Sequence, residues 1–157
     1  MTCTMTGRTR GYAHRVDVAA AVPAVWTALT DSRALGLWCA PGAEISARAG
    51  GAFRANVDRV TETEAHIDIY EPQRRMRLIH LPSYDNLTSQ ATLVDDFLLD
   101  EAPVGATLRI LGSGFPAEEL WDAIYLRRRA GWERAIARLK VLVEREARAA
   151  GGPETRG

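Results

Sequence analysis

The stretch PAEELWDAIYLRRRAGWERAIARLKVLVEREARA, residues 116–149, decides the fold of this 157-residue chain. It contains no proline after Pro116 and a single glycine, Gly131, so little in it interrupts a helix. Glu118 and Glu119 favour a helix start, because acidic side chains stabilise the positive end of the helix dipole. The stretch therefore predicts one long helix of about thirty residues.

That helix has one apolar face and one charged face. At about 100° per residue, its large apolar side chains fall within a stripe about 60° wide. A stripe of this kind must be buried against another layer of structure. The stripe consists of Trp121, Tyr125, Trp132, Ile136, Leu139 and Val143, and it is widened on one side by Ile124, Ala135 and Leu142.

The chain before the helix begins with one predicted strand and two short helices. YAHRVDVAAAV, residues 12–22, alternates well enough to predict the first strand. VPAVWTALTDSRALGLW, residues 22–38, predicts the two helices, because Pro23 suits a first helical turn. Asp31 or Ser32 can cap the second of them.

The middle of the chain predicts five or six antiparallel strands. Gly50–Gly51 signals one hairpin, and the PVG turn at residues 103–105 signals another. Consecutive strands with the helices set apart from them indicate the α+β class. We expect a curved antiparallel sheet of about six to seven strands, wrapped around the C-terminal helix. The strand segments lie at 43–61, 65–72, 74–81, 91–102 and 106–115.

Composition restricts the class of protein. The chain is 46% hydrophobic, and its 20 basic and 20 acidic residues cancel. We expect one compact domain over 1–157, with an ordered core at about 10–149 and flexible tails at 1–9 and 150–157. A neutral chain has no electrostatic footprint for nucleic acid or an anionic membrane. No apolar run approaches about 18 residues, so no membrane span is predicted.

The two cysteines indicate a reducing environment. Cys3 and Cys39 are too few for a disulfide framework, so the cytoplasm is the expected location. They form no metal-binding cluster either, and neither a metal nor a cofactor is predicted. A thiol beside Trp38 is more often packing than a nucleophile.

An apolar column in one predicted strand ends in a histidine. In RRMRLIHL, residues 74–81, the apolar face that contains Leu78 continues to His80. If that face looks inward, the strand carries into the core a group that donates, accepts and titrates near neutral pH. The other two histidines, His14 and His66, have polar neighbours and are expected on the surface.

The elements, in this order, resemble a known superfamily. The chain is similar to the helix-grip proteins called START-like or SRPBCC, and more narrowly to homologues of the activator of the heat-shock-protein-ninety ATPase. The resemblance spans about Val22 to Lys140. It is carried by VPAVWTALTD (22–31), LGLWCAP (35–41), AGGAFRA (49–55), EPQRRMRLIH (71–80), GATLRILGSGF (105–115) and GWERAIARLK (131–140).

The resemblance implies a deep, mostly apolar cavity between the sheet and the C-terminal helix. Relatives use such a cavity for lipids, hormones or polyketides, and some are polyketide cyclases or aromatases. Large apolar cavities bind ligands through their walls and a few polar groups. The walls here would be Trp38, Phe53, Met76, Leu78, Phe97, Trp121, Tyr125 and Trp132.

The resemblance also places a carboxylate near the histidine. It matches Phe97 to a core position, which turns Asp95 inward and Asp96 outward. The family commonly has an aromatic side chain where this chain has His80. A hairpin over Pro82–Gln90 would bring His80 and Asp95 within side-chain reach. An Asp–His pair in a dry cavity is the minimal equipment for a general base or a hydrogen-bonding anchor.

One arginine falls on the apolar stripe of the long helix. Between Tyr125 and Trp132 the stripe requires a residue at position 128 or 129. Of the two arginines there, Arg128 lies nearer the centre of the stripe than Arg129. Arg128 could clamp a ligand carboxylate or neutralise Asp95.

Four interpretations of this polar trio stay open. His80, Asp95 and Arg128 could form a self-satisfied structural network, because an unpaired charge in a core is costly. They could instead orient a ligand without chemistry, or provide acid–base catalysis with His80 as the base. A one-residue register slip would place Asp95 or His80 outside. No catalytic residue is assigned, and His80 and Asp95 are the candidates.

Three functions are therefore considered. The first is binding of a small hydrophobic molecule, with aromatic and carboxylated ligands as candidates. The second is an enzyme of the polyketide cyclase or aromatase type. The third is a protein-interaction module such as a regulator of a chaperone ATPase, by family analogy alone. A homodimer would need only an exposed edge strand or helix face.

Overall fold

A computed structural model describes residues 7–81 and 91–151, which form one seven-stranded sheet and three helices. The strands are β1 (Thr9–Val18), β2 (Glu44–Ile45), β3 (Ala52–Ala55), β4 (Thr63–Glu71), β5 (Arg75–His80), β6 (Val94–Ala102) and β7 (Gly105–Pro116). The helices are α1 (Val22–Thr30), α2 (Ser32–Trp38) and α3 (Asp122–Gly151). The order across the sheet is β1-β7-β6-β5-β4-β3-β2, and every neighbouring pair is antiparallel.

The predicted α+β class and helix-grip architecture are confirmed. Two short helices follow β1, the remaining strands follow in sequence, and one long helix ends the described chain. The predicted helix start near Glu118 and Glu119 lies a few residues early, because β7 continues to Pro116 and a short turn follows it. A 3-10 turn at Glu119–Trp121 then precedes α3, which begins at Asp122 and runs for 30 residues.

The two short helices form where the sequence predicts them. Pro23 lies in the first turn of α1, where its missing N–H costs nothing. The Asp31 carboxylate caps α2 by accepting the backbone N–H of Ala34 at 3.0 Å. At the other end of α2, Arg138 of α3 donates Nε–H to the Trp38 carbonyl at 2.9 Å. The caps therefore satisfy both ends of α2 and tie it to the long helix.

The predicted apolar stripe of α3 is its buried face. Trp132, Leu139 and Val143 are at most 2% exposed. Gly131, beside them, lets the helix approach the chain after β3. A Cβ at Gly131 would lie 2.8 Å from the carbonyl oxygen of Val57, so a larger residue would push the two elements apart.

The central strands alternate between a concave face toward α3 and a convex face. On β6, Asp95 and Phe97 are buried on the concave side, and Asp96 points to the convex side, as predicted. Asp96 is nevertheless only 9% exposed. Arg75 covers it with Nε and Nη2 bonds of 3.0 and 2.7 Å, and Arg77 adds an Nη2 bond of 3.2 Å.

These arginines set the protonation state of Asp96. Burial alone would raise the pKa of this carboxyl, but the hydrogen bonds and charges of Arg75 and Arg77 outweigh burial and lower it below its ordinary value. A depressed pKa means that the contact stabilises the fold above the unfolded pKa and is lost as the pH falls through the folded pKa.

Three predictions fall outside the described residues. They concern the hairpin loop over residues 82–90, the outer parts of both tails at 1–6 and 152–157, and Cys3. At the N-terminal side, β1 begins at Thr9, just ahead of the predicted core. Among the helices described, none is long and apolar enough to cross a membrane.

Asp96→Asn should destabilise the protein by about 1–3 kcal/mol at pH 7, because it removes a charge-assisted bidentate pair. As the pH falls below about 4 and through the depressed pKa of folded Asp96, the difference from the parent should shrink, since first the unfolded chain and then the folded protein bind a proton at this carboxyl. Urea unfolding at several pH values measures both effects. Asp100→Asn is the matched control, because Asp100 is exposed and, within the described part of the chain, pairs with Arg109 alone; it should change little. A difference that does not depend on pH would contradict the assignment.

Candidate functional site

A row of three residues crosses the concave face at its centre. Tyr12 of β1 lies opposite Gly112 of β7, and Gly112 lies opposite Asp95 of β6. Because Gly112 has no side chain, the Tyr12 ring lies over β7; a Cβ at Gly112 would fall 2.2 Å from the Tyr12 ring. The Tyr12 hydroxyl thereby reaches two strands across and donates to Asp95 Oδ1 at 2.5 Å.

The predicted pairing of His80 with Asp95 is present. Asp95 lies directly opposite Leu78, so His80 is the diagonal neighbour on the same face. The His80 backbone N–H donates to the Leu93 carbonyl at 2.9 Å, which extends the ladder to this end of β5. His80 Nε2 lies 2.7 Å from Asp95 Oδ2, with the two side chains 6% and 2% exposed. The register slip considered above is therefore excluded.

Each oxygen of the buried carboxylate has one donor. Asp95 accepts the Tyr12 hydroxyl on one oxygen and the Nε2–H of His80 on the other. Burial raises the pKa of Tyr12 well above its ordinary value, and the charge and hydrogen bond of Asp95 raise it further, against a lowering by Arg128. Tyr12 therefore stays protonated and remains a donor across the physiological pH range.

The chain of hydrogen bonds ends at an unpartnered atom. His80 Nδ1 is buried and has no hydrogen-bond partner among the described residues. In the tautomer that directs its one proton from Nε2 to Asp95, the imidazole presents the lone pair of Nδ1 as an acceptor. Leaving a buried polar atom unpaired costs about 1–3 kcal/mol. A group that donates to Nδ1 would remove that cost.

Arg128 is buried, but it does not pair with Asp95. Its Nε lies 3.9 Å from Asp58 Oδ2, and the neighbouring Arg127 Nε lies 3.5 Å from the same oxygen. The suggestion that Arg128 pairs with Asp95 to neutralise it is therefore wrong, because the ion pair of Arg128 among the described residues is with Asp58. Arg128 Nη1 is buried without a hydrogen-bond partner among the described residues.

The predicted walls form the apolar core around this polar chain. Phe97 meets Trp132 edge-on with ring centres 5.2 Å apart, and Phe53 lies 6.5 Å from Trp132 on the other side. Trp38 packs with its Nε1–H bonded to the Ala28 carbonyl at 2.8 Å. The predicted wall residues that are at most 1% exposed are Trp38, Phe53, Met76, Leu78, Phe97, Trp121 and Trp132.

Tyr125 differs from the other predicted walls. It is half-buried, and its hydroxyl donates to the Gly11 carbonyl of β1 at 2.7 Å. Its ring packs against Tyr12 and Phe115, and the Arg10 guanidinium lies 4.7 Å from the ring centre. Tyr125 therefore joins α3 to the outer strands at one end of the interior.

A cleft of about 470 Å³ opens at the β2 end of the sheet. Phe53 and Ala65 contribute to its lining, and Ala65 is the direct cross-strand neighbour of His80. This volume is within the range of small-molecule sites. The remaining lining residues are Ser32, Glu44, Ile45, Ser46, Ala52, Arg54, Glu64 and Leu81.

Sequence reasoning missed Tyr12, Asp58 and the contacts that His14 makes. Tyr12 shares the inward face of β1 with Val18, so strand alternation alone could have predicted that Tyr12 points inward. Asp58 lies in a loop, where no periodicity indicates burial. His14, expected on the surface, is partly exposed, stacks on Tyr12 at 5.3 Å, and its Nε2 lies 2.9 Å from the Arg129 carbonyl oxygen.

Cys39 is an unreactive core residue. It is fully buried as a free thiol. Burial raises the pKa of the thiol to about 12, so the nucleophilic thiolate is not populated near neutral pH. The preference for packing over nucleophilic chemistry at this position is confirmed.

The family follows from these observations. An antiparallel sheet that curves around one long helix, with a mostly apolar interior between them, defines the helix-grip class. Residues 19–144 match the family described as Activator of Hsp90 ATPase homolog 1-like protein. The chain belongs to that family, and the resemblance found in the sequence is confirmed. Comparison with curated proteins found no match.

Solved structures share the fold. MLL2253 from Mesorhizobium loti is 21% identical, with a TM-score of 0.74 over 87% of this chain and 98% of that protein. The Aha1 dimer from Colwellia psychrerythraea is 14% identical, with a TM-score of 0.69 over 86% of this chain and 96% of that one. DynU16, a protein of the dynemicin biosynthetic locus, is 21% identical, with a TM-score of 0.67 over 87% of this chain and 48% of DynU16. At these identities the likeness extends to the fold alone.

Gly112→Ala should destabilise the protein by about 1–3 kcal/mol, because the added Cβ displaces the Tyr12 ring and breaks its bond to Asp95. Tyr12→Phe, which removes only the hydroxyl, should cost about 1–2 kcal/mol. In a double-mutant cycle measured by urea unfolding, the double variant should lose less stability than the sum of the losses of the two single variants.

Gly36→Ala is the matched control for that cycle. A Cβ at Gly36, inside α2, would lie 4.0 Å from the backbone nitrogen of Gly42, which is ordinary contact distance, so this substitution should leave stability unchanged or raise it by up to about 1 kcal/mol. Strict additivity of Gly112→Ala and Tyr12→Phe would contradict the role of Gly112 in positioning the Tyr12 hydroxyl.

Proposed function

We propose that the protein binds a small hydrophobic molecule between the sheet and α3, with a polar group of that molecule donating to His80 Nδ1. The single observation that carries the proposal is this buried nitrogen, which has no partner among the described residues. It is the end of a hydrogen-bonded chain that Tyr12 and Asp95 hold in place.

A purely structural network would account for only part of this arrangement. Tyr12, Asp95 and the Nε2–H of His80 satisfy one another, and this part orients the imidazole. Nothing described satisfies Nδ1, although an apolar side chain at position 80 would pack without any such cost. Polar groups left open inside apolar walls are typical of ligand sites, where they fix the orientation of the bound molecule.

Membership of the family and the likeness of the fold support a ligand-binding interior in general terms. Cytoplasmic location and a single domain over 1–157 stay predictions. A homodimer also stays a prediction, and the neighbour from Colwellia psychrerythraea, which is a dimer, is compatible with it.

The second candidate is an enzyme that uses His80 as a general base. One observation favours it: a carboxylate 2.7 Å from Nε2 fixes the tautomer in which Nδ1 can take a proton. An arrangement of this kind suits proton abstraction from an apolar substrate, as cyclases and aromatases require.

The ligand proposal predicts selective binding of hydrogen-bond donors. 2-Naphthol should bind about tenfold more tightly than 2-methoxynaphthalene, which has the same body but no donor. The advantage should disappear in His80→Phe and Asp95→Asn, because the first removes the acceptor and the second disturbs its tautomer. Titration followed by protein fluorescence or calorimetry measures the affinities.

Asp96→Asn is the matched control for Asp95→Asn. It makes the same chemical change at the adjacent residue on the opposite face of the sheet, so the tenfold preference should remain. Equal affinity of the two probes for the parent protein, or an unchanged preference in His80→Phe, would contradict the proposal.

His80→Ala distinguishes binding from catalysis once a co-purified molecule has been identified by native mass spectrometry. If the protein is an enzyme, this variant should lose turnover by about 100-fold or more and keep its affinity for the molecule. Parallel loss of affinity and turnover would leave His80 as a binding residue only.

A further inference from the structure

We propose that Arg128 is a carboxylate-binding residue of the interior, so that the ligand is a hydrophobic monocarboxylic acid. This inference rests on the proposed function, because it assigns the chemical class of the molecule bound between the sheet and α3. It is carried by the burial, the charge balance and the open hydrogen-bonding position of one side chain.

Arg128 is the one inward member of three consecutive arginines. Its side chain is 7% exposed, whereas that of Arg127 is 37% exposed and Arg129 is exposed. On α3 it is one turn from Tyr125 and one turn from Trp132, on the face that packs against the sheet. An unneutralised guanidinium is rarely taken out of water in this way, because its desolvation is costly.

The nearest carboxylate neutralises Arg128 only in part. Asp58 Oδ1 is already used by the backbone N–H groups of Val60 and Thr61, each at 2.9 Å. Asp58 Oδ2 is shared between Arg127 and Arg128 at 3.5 and 3.9 Å, which is beyond hydrogen-bonding distance for Arg128. The cluster of Asp58, Arg127 and Arg128 therefore carries one positive charge in excess.

No described carboxylate other than Asp58 lies within ion-pairing distance of Arg128. Asp95 accepts from Tyr12 and His80 and makes no ion pair with Arg128. Arg128 nevertheless acts on the same interior, since its charge lowers the pKa of Tyr12 against the raising effects of burial and Asp95. Its Nη1 is buried and unpartnered among the described residues, so the guanidinium has both charge and a donor to offer.

A carboxylate fits this position better than other anions. The planar guanidinium matches a carboxylate geometrically and binds it through parallel hydrogen bonds. A carboxylate carries one negative charge, which equals the excess on the cluster. A phosphate monoester carries about 1.5 to 2 negative charges at pH 7 and would need further cations. The apolar aromatic walls suit a hydrophobic body attached to the carboxylate.

The test compares carboxylic acids with their neutral amides, using one aromatic and one aliphatic hydrophobic group. 2-Naphthoate and decanoate are titrated against 2-naphthamide and decanamide, at concentrations below micelle formation. The parent protein should bind each acid about tenfold or more tightly than its amide, since charge-assisted hydrogen bonds are stronger than neutral ones. In Arg128→Gln the preference should disappear while the amides keep their affinity.

Two further variants keep the inference testable even if Arg128→Gln does not fold. Arg129→Gln removes the same charge from the exposed neighbour and should keep the preference for acids. Asp58→Asn retains the oxygen that accepts from Val60 and Thr61 but removes the competing charge. It should therefore tighten the binding of the acids several-fold and leave the amides unchanged.

The outcomes separate this inference from the proposed function. If acids and amides bind the parent protein equally, or if Asp58→Asn leaves the affinity for the acids unchanged, the inference is overturned and a hydrophobic ligand site still stands. If none of the four probes binds the parent protein, the proposed function is overturned, and the inference with it.

Discussion

The interior of this protein depends on one buried carboxylate. Asp95 is 1% exposed on the concave face, where a charge without partners would be prohibitively costly. It is tolerated because Tyr12 and His80 donate to its two oxygens from opposite sides. Tyr12 reaches it only because the residue between them, Gly112, has no side chain. The polar chain therefore links strands β1, β6 and β5 across the sheet and leaves His80 in one orientation.

The long helix completes the interior with a second polar position. The same stripe that brings Trp132 and Leu139 into the core also brings in Arg128. Asp58 lies close enough to lower the cost of burying the Arg128 charge, but too far away to form a hydrogen bond with it. Among the described residues, an unpartnered donor on the helix and an unpartnered nitrogen on the sheet are thus both buried in a mostly apolar interior. The proposed ligand would use these two atoms to hold its polar ends.

Strand alternation and helical periodicity predict most of this arrangement from the sequence, because both follow from backbone geometry. Alternation placed His80 on the inward face and the family resemblance placed Asp95 there, and the antiparallel register then brought the pair into contact. These patterns did not reveal that Tyr12 contacts Asp95, because that contact crosses an intervening strand and depends on the absence of a side chain at Gly112. The pairing of Arg128 with Asp58 was also unpredictable, since Asp58 lies in a loop whose path no periodic pattern describes.

The central claim is that Asp95 holds His80 with Nδ1 open to a ligand. Nitrogen-15 NMR of the His80 side chain at pH 8 tests it most directly, because the nitrogen shifts report which ring atom carries the proton. The account predicts a protonated Nε2 and an unprotonated Nδ1 in the free protein, and a change at Nδ1 when 2-naphthol is added. A proton on Nδ1 with Nε2 unprotonated, or an Nδ1 signal that does not respond to 2-naphthol, would contradict it.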